Sequence, residues 1–141
     1  MLRTLLLLLV SFTISTAFAD ANQDAAALVE QGQQDLAQSN YKDAQIKFRK
    51  AIALDAKNAD AFHGAGICCL ELKEYPEAVG VLEKAKTFSE KPSRPLLLNL
   101  AIARLLNGKP RAATEDCKVY LESASLDLRG YELYQVAFYR N

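Results

Sequence analysis

The 141-residue chain has no tryptophan, one histidine, three cysteines and no net charge, with 17 basic and 17 acidic side chains. Since nucleic-acid binding needs a clustered surface of lysine and arginine, the balanced charge gives no support to that function. The sequence also lacks a glycine-rich phosphate loop, a nucleophile elbow and a paired-carboxylate motif. These are the usual sequence signals of an enzyme. We therefore expect a binding protein, without catalytic activity or a cofactor.

The histidine and the cysteines form no metal-site pattern. His63 has no carboxylate or cysteine four residues further along, so a helix would place no second ligand beside it. Cys68 and Cys69 are neighbours, and adjacent helical side chains point about 100° apart, so they cannot bond to each other. We expect Cys69 and Cys117 to fill core positions as small hydrophobic residues. A disulfide from Cys68 or Cys69 to Cys117 stays an alternative.

The start of the chain has a different composition from the rest. An uninterrupted apolar run at residues 5–10 follows the positive charge of Arg3, and an Ala-Phe-Ala sequence ends at Ala19. Small residues at those last positions are what a signal peptidase reads. We predict a secretory signal peptide at residues 1–19, cleaved before Asp20, and hence a periplasmic or secreted protein. An uncleaved anchor is the alternative, but the segment is short for a membrane span.

After this segment, a pattern recurs about every 34 residues. The tetrapeptides that begin at Tyr41 and Tyr75 share a frame and lie 34 residues apart, as do Gly32 and Gly66. A third copy, with Ala101, lies 35 residues after Gly66. A period of this length indicates stacked supersecondary units.

Hydrophobic residues at steps of three and four within each copy predict helices, separated by turns rich in Asn, Gly and Pro. We predict one domain at residues 20–141, made of repeats at about 25–58, 59–92 and 94–127 and a terminal helix at about 128–140. The predicted fold is an all-α, right-handed helical-repeat solenoid of about three helix pairs plus a C-terminal capping helix.

Positions within a unit are counted here from Ala25, Ala59 and Arg94. Large residues at positions 4 and 24 and small residues at 8, 20 and 27 resemble the tetratricopeptide repeat, a family of antiparallel helix pairs. The third unit departs from the pattern at position 11, with Arg104, and at position 27, with Tyr120. The first two units place these residues at positions 4, 8, 11, 20, 24 and 27: Leu28, Gly32, Asp35, Ala44, Phe48 and Ala51; and Phe62, Gly66, Cys69, Ala78, Leu82 and Ala85.

The resemblance implies that the first helices of the units line a concave groove that binds a peptide or a helix of another protein. The groove would be acidic along the first two units and apolar along the third. The apolar helix of the third unit is either covered on every side or part of a binding patch. The expected groove residues are Glu30, Gln33, Asp60, His63, Ile67, Glu71, Leu98, Asn99, Ile102 and Leu105.

One function of the resembling family is not expected. Some members clamp the C-terminal carboxylate of heat-shock chaperones with Lys, Asn and Arg side chains at five groove positions. No cation is present at the equivalent places, which hold Val29, Gln33, Gly64, Pro95 and Asn99.

These patterns predict an exported protein–protein interaction scaffold, an adaptor or assembly factor of the cell envelope. The alternative is a structural protein that self-associates through a face of the terminal helix carrying Tyr131, Tyr134 and Phe138. A solenoid normally needs a polar surface on its last helix, and this one mixes aromatic and polar side chains.

Overall fold

The computed structural model describes residues 22–123 and 127–140, and within these ranges it has seven α-helices and no strand. The predicted signal peptide and its cleavage site between Ala19 and Asp20 lie outside the described residues. No helix within the described ranges is long and apolar enough to cross a membrane. The helices are α1 (residues 22–37), α2 (Tyr41–Leu54), α3 (Ala59–Glu71), α4 (Tyr75–Phe88), α5 (Arg94–Leu106), α6 (Pro110–Ser123) and α7 (Leu128–Tyr139).

The helices pack as a row in chain order. From α2 onward, each contacts the next, and the contacts that skip one helix join α3 to α5 and α5 to α7. Contacts restricted to near neighbours are characteristic of a solenoid, and they place α3, α5 and α7 side by side. The predicted all-α solenoid is confirmed.

Three glycines of the first two units allow close approach of the helices. A Cβ atom at Gly32 would lie 2.9 Å from the Phe48 ring, and one at Gly66 would lie 2.4 Å from Leu82. Both contacts join position 8 to position 24 of the same unit, as the sequence frame predicts. Gly64 would bring its Cβ within 2.3 Å of the same Phe48 ring, so this ring also fixes the second unit against the first.

The turn inside each unit has a common backbone geometry. Ser39, Lys73 and Gly108 all stand at position 15 and have φ angles of 62°, 62° and 72°. In each turn the N–H of the following residue donates to the carbonyl oxygen of position 11, at 2.8–2.9 Å. This bond and the left-handed residue are the two marks of a Schellman motif, which satisfies the last carbonyl groups of a helix.

Side-chain caps start three of the helices. Asn58 Oδ1 accepts from the N–H of Ala61 at 2.9 Å at the start of α3, and Asp127 Oδ1 accepts from the N–H of Arg129 at 2.9 Å at the start of α7. Ser93 caps α5 in the same way. Each cap satisfies an amide that has no partner within its helix.

The departures at position 11 are explained by ion pairs with position 23. In the first unit Lys47 Nζ lies 2.5 Å from Asp35 Oδ2. In the third unit the signs are exchanged, and Arg104 Nη1 lies 2.5 Å from Asp116 Oδ2. The second unit has the apolar Cys69 and Val81 there.

All three cysteines are buried free thiols, so the alternative of a disulfide to Cys117 is wrong. Burial raises the pKa of Cys68 to about 12 and the pKa values of Cys69 and Cys117 to about 11. The prediction that Cys69 and Cys117 fill the core agrees with their positions, because both are almost fully buried.

Candidate partner-binding groove

The candidate groove follows α3, α5 and α7 along the side on which these helices are neighbours. A hydrogen bond crosses from one unit to the next, because Asn99 Nδ2 on α5 lies 3.1 Å from His63 Nε2 on α3. The amide nitrogen can only donate, so this nitrogen of His63 accepts and the ring is neutral. Burial lowers the pKa of His63, although Asp60 opposes the shift. The histidine therefore acts as a neutral polar contact within the groove.

A cleft opens between α5 and α7 and encloses about 450 Å³. Its walls are mainly aliphatic, and opposite charges of Arg129 and Glu132 lie on the α7 side. The Asn99 amide joins the cleft to His63 in the second unit. The remaining lining residues are Leu98, Ile102, Leu133 and Val136.

The expected groove residues form an exposed set and a half-buried set, and Leu105 is buried. The four exposed residues are acidic or polar and belong to the first two units, whereas the five half-buried residues belong to the second and third units. Leu98, Asn99 and Ile102 meet in the cleft. The exposed set is Glu30, Gln33, Asp60 and Glu71, and the half-buried set is His63, Ile67, Leu98, Asn99 and Ile102.

Leu105 has a groove position in the repeat, but its side chain is buried and does not line the cleft. Its exposed fraction is 8%, because Ala113 of α6 and Ala137 and Leu133 of α7 pack around it. The apolar helix of the third unit is thus mostly covered, with Leu98 and Ile102 half-buried in the cleft and Leu106 exposed.

Four residues of α7 were missed by the sequence analysis. Counting a fourth unit from Leu128 puts Arg129, Glu132, Leu133 and Val136 at positions 2, 5, 6 and 9, the same positions that define the groove elsewhere. Extending the repeat frame into the terminal helix would have found them.

One group of three potential metal ligands occurs within the described residues, formed by Cys69, Glu74 and Glu77. Both carboxylates already have partners, since Gln45 Nε2 donates to Glu74 Oε2 at 2.8 Å and Arg49 Nη2 lies 2.7 Å from Glu77 Oε1. The group lies on α3, α4 and the turn between them, and none of its members belongs to the cleft.

Comparison with known proteins agrees with the repeat fold described above. Residues 35–94 match the model described as a tetratricopeptide repeat. The chain has the fold of a tetratricopeptide-repeat solenoid. No curated protein matches it significantly in sequence.

Solved tetratricopeptide structures superpose on most of the chain. The first repeat domain of Spaghetti (RPAP3), bound to an HSP90 peptide, has a TM-score of 0.78 and 19% identity, covering 84% of this chain and 93% of that one. The second domain of human RPAP3, in complex with an HSP70 peptide, has a TM-score of 0.77 and 18% identity, covering 84% and 98%. YrrB, a repeat protein with an unusual peptide-binding site, has a TM-score of 0.78 and 20% identity, covering 88% and 63%.

These likenesses establish the fold. The clamp positions differ in this chain. Val29 and Gly64 are buried, and Pro95 offers no side-chain donor. A carboxylate clamp therefore cannot be assembled from these positions.

Proposed function

We propose that the chain is an exported interaction scaffold that binds a peptide or helix of a partner protein in the groove along α3, α5 and α7. Its role would be that of an adaptor or assembly factor of the cell envelope. The observation that carries the proposal is the cleft between α5 and α7, with its aliphatic walls and its two opposite rim charges. Such a cleft suits the apolar side of an amphipathic segment.

The charges outside the cleft favour a partner with basic side chains. Glu30, Asp60 and Glu71 are exposed on α1 and α3, the first helices of the first two units. A segment that fills the cleft with apolar residues and carries lysine or arginine further along would meet complementary charge. Export is supported by the leader-like residues 1–19, and a mass measurement of the purified product tests their removal.

The decisive experiment compares partner capture by matched variants of the full chain, expressed in a host that exports it. Ile102→Glu puts a charge into the apolar cleft, so we expect capture of the partner from envelope extracts to weaken at least about tenfold. Ile46→Glu is the control, because Ile46 is an exposed apolar residue on α2 outside the groove.

The acidic end is tested by reversing Glu30 and Glu71 to lysine together. We expect roughly three- to tenfold weaker capture, because exposed charges contribute little each. Reversal of Glu90 and Glu122 to lysine together makes the same change in net charge at two exposed sites that are not among the expected groove residues, so it is the matched control. Equal capture by Ile102→Glu and the unaltered chain would refute the groove proposal.

A further inference from the structure

The terminal helix carries an apolar face that no described element covers. Five of the nine exposed large hydrophobic residues in the described chain are on α7: Leu128, Tyr131, Val136, Phe138 and Tyr139. Leu128 is 77% exposed and Tyr139 is 80% exposed. Val136 lines the cleft on the α5 side, and the other four do not line it, although Phe138 borders α6. Exposed apolar patches of this kind mark interaction sites.

The spacing of this face is that of a helix-pairing seam. Leu128, Tyr131, Gln135 and Phe138 follow one another at steps of three, four and three residues. That alternation is the a and d pattern along which two helices interdigitate. The opposite side of α7 packs into the protein through Gly130 and Ala137, which are buried. We name the outward face, formed by Leu128, Tyr131, Gln135, Phe138 and Tyr139, the α7 seam.

The repeat frame indicates what kind of element fits the seam. In the first two units, position 8 of the first helix contacts the antiparallel second helix, as Gly32 contacts Phe48 and Gly66 contacts Leu82. Counted from Leu128, positions 4, 8 and 11 of α7 are Tyr131, Gln135 and Phe138. Among the helices from α2 onward, α7 contacts α5 and α6. We therefore expect the α7 seam to pack against a helix that runs antiparallel to α7.

We propose that α7 of a second copy of this chain is that helix, so that the protein forms a two-fold dimer. A two-fold axis perpendicular to a helix pairs it with its own copy in antiparallel direction, which is the direction required here. Pairing a positions with d positions puts Leu128 opposite Phe138 and Tyr131 opposite Gln135 of the second copy. In this register each leucine packs against a phenylalanine ring, and each Gln135 amide meets the Tyr131 hydroxyl of the other copy.

Gln135 also argues for one defined arrangement. A polar residue in an otherwise apolar seam costs stability when it is shifted against apolar neighbours, so it selects the register that gives it a partner. In the antiparallel register its partner is a phenolic hydroxyl, which both donates and accepts hydrogen bonds.

The other end of the solenoid excludes head-to-tail stacking. The exposed residues of α1 are alanine or polar, and they include Gln23, Asp24, Gln31 and Gln34. A row of copies would place this polar surface on the aromatic seam and desolvate it without compensation. The seam therefore pairs with itself, and the assembly closes at two copies.

The size of the seam predicts a dimer of moderate affinity. A large aromatic side chain buries about 150–250 Å² when fully covered. Since the four apolar residues of the seam are between half and four-fifths exposed, the pair would bury roughly 1,000 Å² in total. This is the lower limit for a specific interface, and we expect dissociation in the micromolar range. The dimer would carry two grooves and bind a repeated partner with avidity.

Sedimentation equilibrium of the full chain, purified as its host processes it, tests the dimer from about 1 to 300 μM. We expect twice the chain mass at the upper end, and at least tenfold weaker association for Tyr131→Glu. Two controls carry the same new charge at similar exposure and should leave the dimer unchanged. Ile46→Glu lies on α2, and Val136→Glu lies on the cleft side of α7.

Cysteine cross-linking tests the antiparallel direction. Leu128→Cys and Phe138→Cys chains should cross-link when mixed under mild oxidation, and neither should cross-link when alone. The native cysteines give little background, because all three are buried.

A monomer at all concentrations, an open-ended series of larger species, or a dimer broken by Ile46→Glu and not by Tyr131→Glu would overturn the proposal. This outcome is independent of groove binding, which Ile102→Glu reports.

Discussion

The two junctions between the units have the same repeat period but different chemistry. Between the first and second units, the Phe48 ring lies against Gly64 of α3, and the surrounding cluster is apolar. Between the second and third units, an apolar cluster is joined by charges, since Arg104 of α5 pairs with Glu83 of α4 at 2.9 Å and with Asp116 of α6. Lys86 of α4 also lies 3.5 Å from Asp116.

This difference shows why the third unit departs from the repeat pattern. Position 11 is an arginine there because its guanidinium reaches across to α4, which a large apolar residue could not do. In the first unit the equivalent pair of Asp35 and Lys47 joins only α1 and α2. The first junction is stabilised by the close packing of the Phe48 ring on Gly64, whereas the second also contains the buried charge of Asp116, which pairs with Arg104.

The largest effect is expected at the second junction. Only 4% of the Asp116 side chain is exposed, so Asp116→Ala leaves Arg104 and Lys86 without their buried partner. We expect the free energy of unfolding to fall by about 3 kcal/mol. Asp35→Ala, at the more exposed pair, should cost about 1 kcal/mol. Urea unfolding measures both, and equal losses would contradict the proposed difference between the pairs.

A charge exchange sharpens this test. The double variant Arg104→Asp with Asp116→Arg gives the third unit the signs of the first. Glu83 would then face an aspartate and Lys86 an arginine, so we expect little recovery relative to Asp116→Ala. Full recovery of the free energy of unfolding would mean that stability depends only on the ion pair between positions 104 and 116.

The next largest effect is expected at the first junction. A Cβ atom at Gly64 would lie 2.3 Å from the Phe48 ring, whereas one at Gly80 would meet nothing within 4 Å. Both sites are helical, so alanine gains up to about 1 kcal/mol from helix propensity at each. We expect Gly80→Ala to stabilise the protein and Gly64→Ala to be about 2 kcal/mol less stable than Gly80→Ala. Unfolding midpoints that agree within error would refute close packing at Gly64.

The smallest effect is a change in thiol reactivity, and it distinguishes the junctions within one variant. Cys68 lies in the apolar cluster of the first junction, and Cys69 lies in that of the second. We expect Gly64→Ala to speed alkylation of Cys68 selectively and Asp116→Ala to speed that of Cys69, because local opening exposes each thiol. Mass spectrometry of peptides carrying each label would show this, and equal acceleration of both would mean that the junctions open together.

The same thiols predict a dependence on pH. Burial holds the pKa values of the three thiols at about 11 to 12, above the ordinary value of 9.0. Above pH 9 the unfolded chain loses thiol protons before the folded chain does, so the unfolded state binds fewer protons. Stability is therefore complete below pH 9 and falls as the pH rises toward 11.

The small and large residues of the repeat frame predicted the fold, because contacts such as Gly32 with Phe48 recur at fixed positions. The partners of Asp35 and Arg104 were not predicted, although both lie twelve residues away on the next helix. The hydrogen bond from Asn99 to His63 depends on how far two neighbouring units are rotated, which no spacing within one unit encodes. The burial of Leu105 depends partly on Leu133 and Ala137 of the terminal helix, which lie outside its own unit.

The turn at position 15 has one more consequence. Ser39, Lys73 and Gly108 adopt the same left-handed backbone, yet only the third is a glycine. Since a left-handed conformation costs an L-residue about 1 kcal/mol or more, the first two turns hold conformational strain that the third does not. The repeat thus dictates the backbone geometry of the turn, and the residue type determines only how much free energy that geometry costs.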